Sequence, residues 1–164
     1  MVSGPVTLNT PENVQRIDVK STLEMKKEIT KRFDKIDVLI MSAAVADYEP
    51  KNIASNKIKK QDQEISIQLK KTPDILKDLV KSKKKQLVIG FALETENGID
   101  NAYQKMKRKN LDAIILNSLR DTGAGFGHDT NKITLITPSE KREFELKTKD
   151  LVAIDILNFV EECI

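Results

Sequence analysis

DVLIMSAAVADYEPKNIASNKIKK, residues 37–60, decides how this chain is read. Its start, VLIM, is a continuous apolar run of the kind found in a strand covered on both faces. The run then breaks into small residues, Ser42, Ala43, Ala44 and Ala46, and reaches an acid at Asp47. Small side chains at a strand end let a ligand approach the backbone N–H and C=O groups; they also suit tight packing. Asp47 can accept hydrogen bonds from ribose hydroxyls or a base amine, or form a turn ahead of Pro50. The stretch ends on Lys57, Lys59 and Lys60. With a period of two, Lys57 and Lys59 share one face and Ile58 and Lys60 the other. Clustered ammonium groups repel unless an anion or solvent separates them. A flat, polar, highly anionic ligand such as a nucleoside triphosphate suits this arrangement; a solvated basic face is the plain alternative.

Working outward, strand and helix signals alternate. Residues 5–8 and 14–19 read as short β segments. Ser21 is a candidate N-cap with Glu24 as its capping-box partner, opening a helix to about Phe33. Residues 64–69 alternate, with Ile65, Ile67 and Leu69 on one face, and predict a half-exposed strand. Thr72 predicts a helix cap with Pro73 at the first helical position and Leu76, Leu79 and Val80 facing inward. Residues 86–91 and 113–116 are further buried strands, and residues 97–110 form a helix between them. Residues 133–136 and 143–146 bracket Pro138, Ser139 and Glu140 as a hairpin, and residues 151–160 form a closing amphipathic helix. This order predicts a Rossmann-like α/β fold: a mostly parallel sheet flanked by helices, with an added antiparallel hairpin. Residues 1–164 read as one domain, without repeat or linker.

Composition narrows the function classes. With 39% hydrophobic and 32% charged residues, the 164-residue chain has the balance of a globular protein. No apolar run approaches the roughly 20 residues that span a bilayer, so no membrane role is expected. The net charge of +3 and the aromatic-poor lysine runs speak against nucleic acid. The single cysteine, Cys163, allows no internal disulfide and points to a cytoplasmic address. Residues 82–85 read as a solvated loop.

In parallel α/β sheets the ligand crevice lies beyond the carboxyl ends of the strands. That rule puts residues 42–47, 91–95 and 117–121 on one rim. Phe91 can stack on a base or cap the core. Lys105 and Lys109, spaced i, i+4, can grip an anion or complement the helix dipole. The glycines at 123, 125 and 127 resemble a phosphate cradle only superficially, since no helix N-terminus follows. His128 has no partner at metal-ligand spacing. Tyr103 and Lys107 fit Tyr-x-x-x-Lys, and VLIMSAAVAD is reminiscent of short-chain dehydrogenases, but no glycine-rich dinucleotide turn follows a first strand.

Several blocks together resemble bacterial phosphopantothenoylcysteine synthetase, the carboxyl-terminal half of a bifunctional coenzyme A biosynthesis protein. They are SAAVADYEP (42–50), NKIKK (56–60), LKKTPDIL (69–76), IGFALET (89–95), KMKRKNLDAIILN (105–117) and GFGHDTNKITLI (125–136). They stand in the family's order and cover most of the chain. The resemblance implies a homodimeric ligase that joins 4′-phosphopantothenate to L-cysteine using CTP and Mg²⁺. Matched by motif, it implies a nucleotide site of Met41, Ser42, Ala43, Asp47, Lys57, Pro73, Asp74, Ile75, Leu76, Phe91, Lys105 and Lys109. Lys57 is the implied catalytic charge, neutralising the α-phosphate. The pantothenate carboxylate would attack the α-phosphorus and release pyrophosphate; the cysteine amine would then displace CMP from the acyl-cytidylate. Relative to the family, the chain lacks a first strand, a glycine-rich turn and helix, the Asn loop that handles the acyl-cytidylate, and a flavoprotein decarboxylase partner domain. Reduced turnover is therefore expected. A non-catalytic nucleotide-binding or assembly module and a dehydrogenase-like reductase are the alternatives.

Overall fold

Three of the apolar runs pair side by side as parallel strands. The structure, a computed structural model, describes residues 1–59, 64–118, 123–124 and 127–164. In chain order its elements are β1 (Val2–Ser3), β2 (Ile17–Asp18), α1 (Thr22–Phe33), β3 (Val38–Met41), β4 (Tyr48–Pro50), β5 (Leu69–Lys71) and α2 (Ile75–Leu79), which runs into a 3₁₀ turn over Val80–Ser82. There follow β6 (Leu87–Glu94), α3 (Gly98–Arg108), β7 (Ala113–Ser118), β8 (Thr130–Asn131), β9 (Ile133–Ile136), β10 (Lys141–Glu143), β11 (Lys147–Thr148) and α4 (Lys149–Cys163). Among the described residues, no helix is long and apolar enough to cross a membrane.

The chain forms two compact units, Met1–Lys31 with Ala43–Ile75, and Arg32–Ser42 with Leu76–Ile164. The second holds a five-stranded sheet of order β10-β9-β7-β6-β3. β3, β6 and β7 are parallel, while β9 and β10 run antiparallel as the expected hairpin. Side chains alternate across β6 and β7. Ile89, Ala113 and Ile115 pack with Ile133 and Leu135 against Val152, Ile156, Phe159 and Val160 of α4. The opposite face meets α2 and α3: a Cβ placed on Gly90 would lie 2.6 Å from Leu111 Cδ1 and 3.6 Å from Leu76 Cδ1.

Local chemistry sets the element ends. At α3, the Asn110 N–H bonds the Lys107 carbonyl at 3.1 Å and the Leu111 N–H bonds that of Met106 at 3.0 Å. Asn110 takes the left-handed φ of 48°. This is a Schellman stop, with Asn in the position glycine usually fills. Asp112 carries the amino ends of two strands: its carboxylate accepts the Val88 N–H at 2.7 Å and pairs with Lys83 at 2.5 Å. Lys84 pairs with Asp34 and Lys85 with Asp37, at 3.1 and 4.0 Å. The expected solvated loop at 82–85 is thus partly tied down, and the Lys83 side chain is only 15% exposed.

The first unit contains two small sheets, β1 parallel to β2 and β4 antiparallel to β5. The capping box forms as expected: Ser21 Oγ accepts the Glu24 N–H at 3.2 Å and the Glu24 carboxylate accepts the Lys20 N–H at 2.7 Å. Three expectations are corrected here. Residues 5–8 are not a strand; the Leu8 carbonyl instead accepts from Arg16 Nη1 at 2.9 Å. Of residues 64–69 only Leu69 joins a strand, because β4 offers just three residues to pair with. Thr72 does not cap α2: its hydroxyl donates to the Ala46 carbonyl at 2.5 Å. In the second unit, the hairpin's return strand is Lys141–Glu143 rather than 143–146.

Candidate functional site

β3 stops at Met41, opposite Gly90, while β6 runs on to Glu94. The Leu87 N–H bonds the Asp37 carbonyl at 2.8 Å, so odd-numbered residues of β6 turn their N–H and C=O groups toward β3. The Asp112 N–H bonds the Val88 carbonyl at 3.0 Å, so even-numbered residues turn theirs toward β7. The Phe91 carbonyl is therefore the first on the β3 side to lie past the end of β3. It accepts a hydrogen bond from Lys105 Nζ at 2.9 Å. An ammonium group is thus held where β3 gives way to Ser42, at the carboxyl end of the parallel strands.

Lys109 caps α3 one turn further on, its N–H bonded to the Lys105 carbonyl at 3.0 Å. Both lysines are half-buried. Phe91 is half-buried too, packed in part against the core beneath α4. Tyr103 and Lys107 meet each other, with the ammonium 4.5 Å from the ring centroid, as a cation–π pair on α3. Of the sequence-predicted residues, the second unit brings Met41, Ser42 and Lys105 to the end of β3, with Phe91 on the α4 face of β6, Leu76 on the opposite face and Lys109 at the end of α3.

The first unit holds the others. Ala43, Ala44, Ala46 and Asp47 are all exposed, as is Ser42 at the end of the second unit's β3 segment, so the small residues are open rather than packed. The Thr72 N–H bonds the Asp47 carbonyl at 3.0 Å, and with the Thr72 hydroxyl on Ala46 this ties the loop to the residue before Pro73. Ala43, Asp47, Pro73, Asp74 and Ile75 are thereby brought together. Asp74 is exposed, whereas Ile75 and Leu76 are buried and offer only backbone groups to a ligand. Lys57 and Lys59 lie in the exposed segment between β4 and β5. Lys60, Asp121 and the glycine at 125 fall outside the described residues.

The sequence reading does not single out Asn131. Its side chain is buried and donates from Nδ2 to Asn117 Oδ1 at 2.9 Å, at the carboxyl end of β7. No local pattern announces a pair fourteen residues apart.

An open, mostly parallel sheet flanked by helices defines the Rossmann-like α/β fold class. All 164 residues match the family described as the DNA/pantothenate metabolism flavoprotein C-terminal domain, and the chain belongs to it. It is 51% identical over 160 residues to a protein named cysteine/cysteine sulfinic acid decarboxylase from an unknown prokaryotic organism, covering 96% of this chain and 45% of that protein. It is 41% identical over 159 residues to the coenzyme A biosynthesis bifunctional protein CoaBC of Bacillus subtilis (strain 168), covering 96% and 39%. The crystal structure of a CoaBC C-terminal domain superposes with a TM-score of 0.81 at 37% identity, covering 99% of this chain and 72% of that one. The flavoprotein structure from Streptococcus pneumoniae, with a TM-score of 0.82 at 22% identity, shares the fold. The chain thus spans less than half the length of these curated relatives. The resemblance and the fold read from the sequence agree with these matches.

Proposed function

We propose that this chain is the nucleotide-handling synthetase part of a phosphopantothenate–cysteine ligase in coenzyme A biosynthesis. The observation that carries the reading is the Lys105 ammonium fixed by the Phe91 carbonyl at the end of β3, inside a family whose relatives are named for that pathway. A positive charge held there suits a triphosphate, because phosphoryl chemistry needs positioning and charge neutralisation more than covalent help. In this proposal Lys105 and Lys109 grip the phosphate chain and Lys57 neutralises charge developing at the α-phosphorus. Exposed Ser42, Ala43 and Asp47 receive the nucleoside, with backbone groups of residues 73–76. The carboxylate of 4′-phosphopantothenate displaces pyrophosphate from CTP, and the amine of L-cysteine displaces CMP to give the amide. Among the described residues there is no cluster of three acidic, His or Cys side chains for an ion. In this proposal Mg²⁺ would come with the triphosphate and supply charge neutralisation there. A cytoplasmic homodimer, with a flavoprotein decarboxylase as neighbouring domain, belongs to the same proposal.

The test combines calorimetry with a product assay. The chain is expected to bind Mg²⁺–CTP, and phosphopantothenoylcysteine is the product assayed for. In the turnover assay, Lys57→Ala should cut the rate by at least about tenfold. Lys84→Ala removes only an exposed pair with Asp34 and should leave turnover within about twofold. Equal losses in the two variants would remove the role given to Lys57. Binding without product would favour a non-catalytic nucleotide module.

A further inference from the structure

The buried Asn131 fixes the orientation of Asn117. The Lys132 N–H can only donate, and it lies 3.1 Å from Asn131 Oδ1. The oxygen of Asn131 is therefore turned to Lys132, and its nitrogen to Asn117. Asn117 in turn must present its oxygen to Asn131, at 2.9 Å, and turn its NH₂ group away. Among the described residues that nitrogen meets no acceptor, and Asn117 is half-buried rather than enclosed. The support is firm: Asn131 lies in β8, which pairs with β11 through Asn131–Lys147 and Thr130–Thr148.

Register puts Asn117 beside an aromatic ring. Ile115 pairs with Phe91 and Asn117 with Leu93, so Phe91 and Asn117 are diagonal neighbours on the same sheet face. That face combines a half-buried ring, which offers stacking, with a hydrogen-bond donor of fixed sense. Neither group is charged, which suits the uncharged end of a nucleotide rather than its phosphates.

Resting on the nucleotide reading above, we propose that Asn117, oriented by Asn131, is a specificity residue that reads the ring edge of a pyrimidine. Cytosine offers two acceptors on that edge, N3 and O2, to a donating NH₂ group. O2 accepts in uracil as well, but uracil carries an N–H at N3, so an NH₂ group set against N3 bonds cytosine and not uracil. Asn117 thus favours CTP over UTP, and Asn131 is a positioning residue that keeps the amide from flipping.

The experiment is calorimetric titration of the 164-residue chain with Mg²⁺–CTP and Mg²⁺–UTP. Asn117→Ala should weaken CTP about tenfold and leave UTP nearly unchanged, the size expected for one lost hydrogen bond. Asn117→Asp, nearly isosteric, replaces the donor with an acceptor and should narrow the CTP to UTP ratio further. Asn131→Ala should narrow it partially. If wild type binds CTP but all three variants keep its nucleotide ratio, the assignment of Asn117 is overturned while the nucleotide reading stands. If wild type binds neither nucleotide, both fall. The Asp variant keeps the test decisive should the Ala variant fail to fold.

Discussion

The five-stranded sheet and the segment between β4 and β5 use similar residues to opposite ends. In the sheet, Val88, Ile89, Ile114, Ile115 and Leu135 are wholly buried. In the segment, Ile53, Ile58, Ile65 and Ile67 are between 58% and 90% exposed. The difference lies in what each residue meets. A β-branched residue stabilises a strand when neighbouring strands and a second layer cover it. β6 lies between β3 and β7 with helices on both faces, whereas β5 has only the three residues of β4. Accordingly the Lys105 ammonium rests on a rigid support, while Lys57 rides on a sparsely paired one.

The sharpest way to break this comparison is truncation in each region. Ile115→Ala should cost about 2–5 kcal/mol of stability, since it leaves a cavity between β7 and α4. Ile67→Ala should stay within about 0.5 kcal/mol, as expected for an exposed side chain. Urea titration of both variants measures the difference. A loss at Ile67 as large as that at Ile115 would mean that its side chain is covered in solution.

The same contrast explains what the sequence made legible. Residues 86–91 and 113–116 announce themselves because a doubly covered strand is apolar at nearly every position; residues 38–41 do form a strand, but as the sheet edge with Ile40 exposed rather than covered on both faces. Ser21 and Glu24 announce α1 because a capping box is a local code. Residues 64–69 mislead because alternation reports only the capacity to form a strand, and the partner here is too short. Thr72 misleads because its hydroxyl prefers a carbonyl twenty-six residues away, which no spacing rule contains. At the site, the lysines and the strand end were readable, but the bond from Lys105 to Phe91 and the Asn117–Asn131 pair depend on register between strands.

A second test adds an atom instead of removing several. On Gly90 a methyl group would stand 2.6 Å from Leu111 Cδ1, so Gly90→Ala should cost about 1–3 kcal/mol as Leu111 is displaced. Gly4 has nothing within 4 Å of such a methyl group, and its substitution by Ala should be neutral or slightly stabilising. Thermal unfolding of the two variants makes the check. Matching midpoints would show that Leu111 yields freely and that the α3 face is loosely packed.

Smaller again is the cap on α1. Ser21→Ala removes the acceptor of the Glu24 N–H and should cost about 1 kcal/mol. Thr72→Ala, by contrast, should leave the helicity of α2 unchanged, because that hydroxyl serves the Ala46 carbonyl. Circular dichroism during a urea titration follows both. A loss of helix in the Thr72 variant would restore the capping role that the structure denies it.

The smallest effect belongs to the outer edge of the sheet, where even the well-packed unit meets water. There Lys141 donates to the Glu143 carboxylate, with an ion-pair distance of 2.7 Å, and holds that group below its ordinary carboxylate range. A carboxyl whose folded value is depressed contributes stability above its unfolded value and loses it as pH falls through the folded one. Glu143 is fully solvated, so this contribution is slight, far below that of the core residues behind it. Lys141→Ala should raise the Glu143 midpoint toward that of a free glutamate, followed by NMR titration of its side-chain carboxyl. An unmoved midpoint would assign the depression to another neighbour, with Lys132, the weaker charge acting on this carboxylate, next to be substituted.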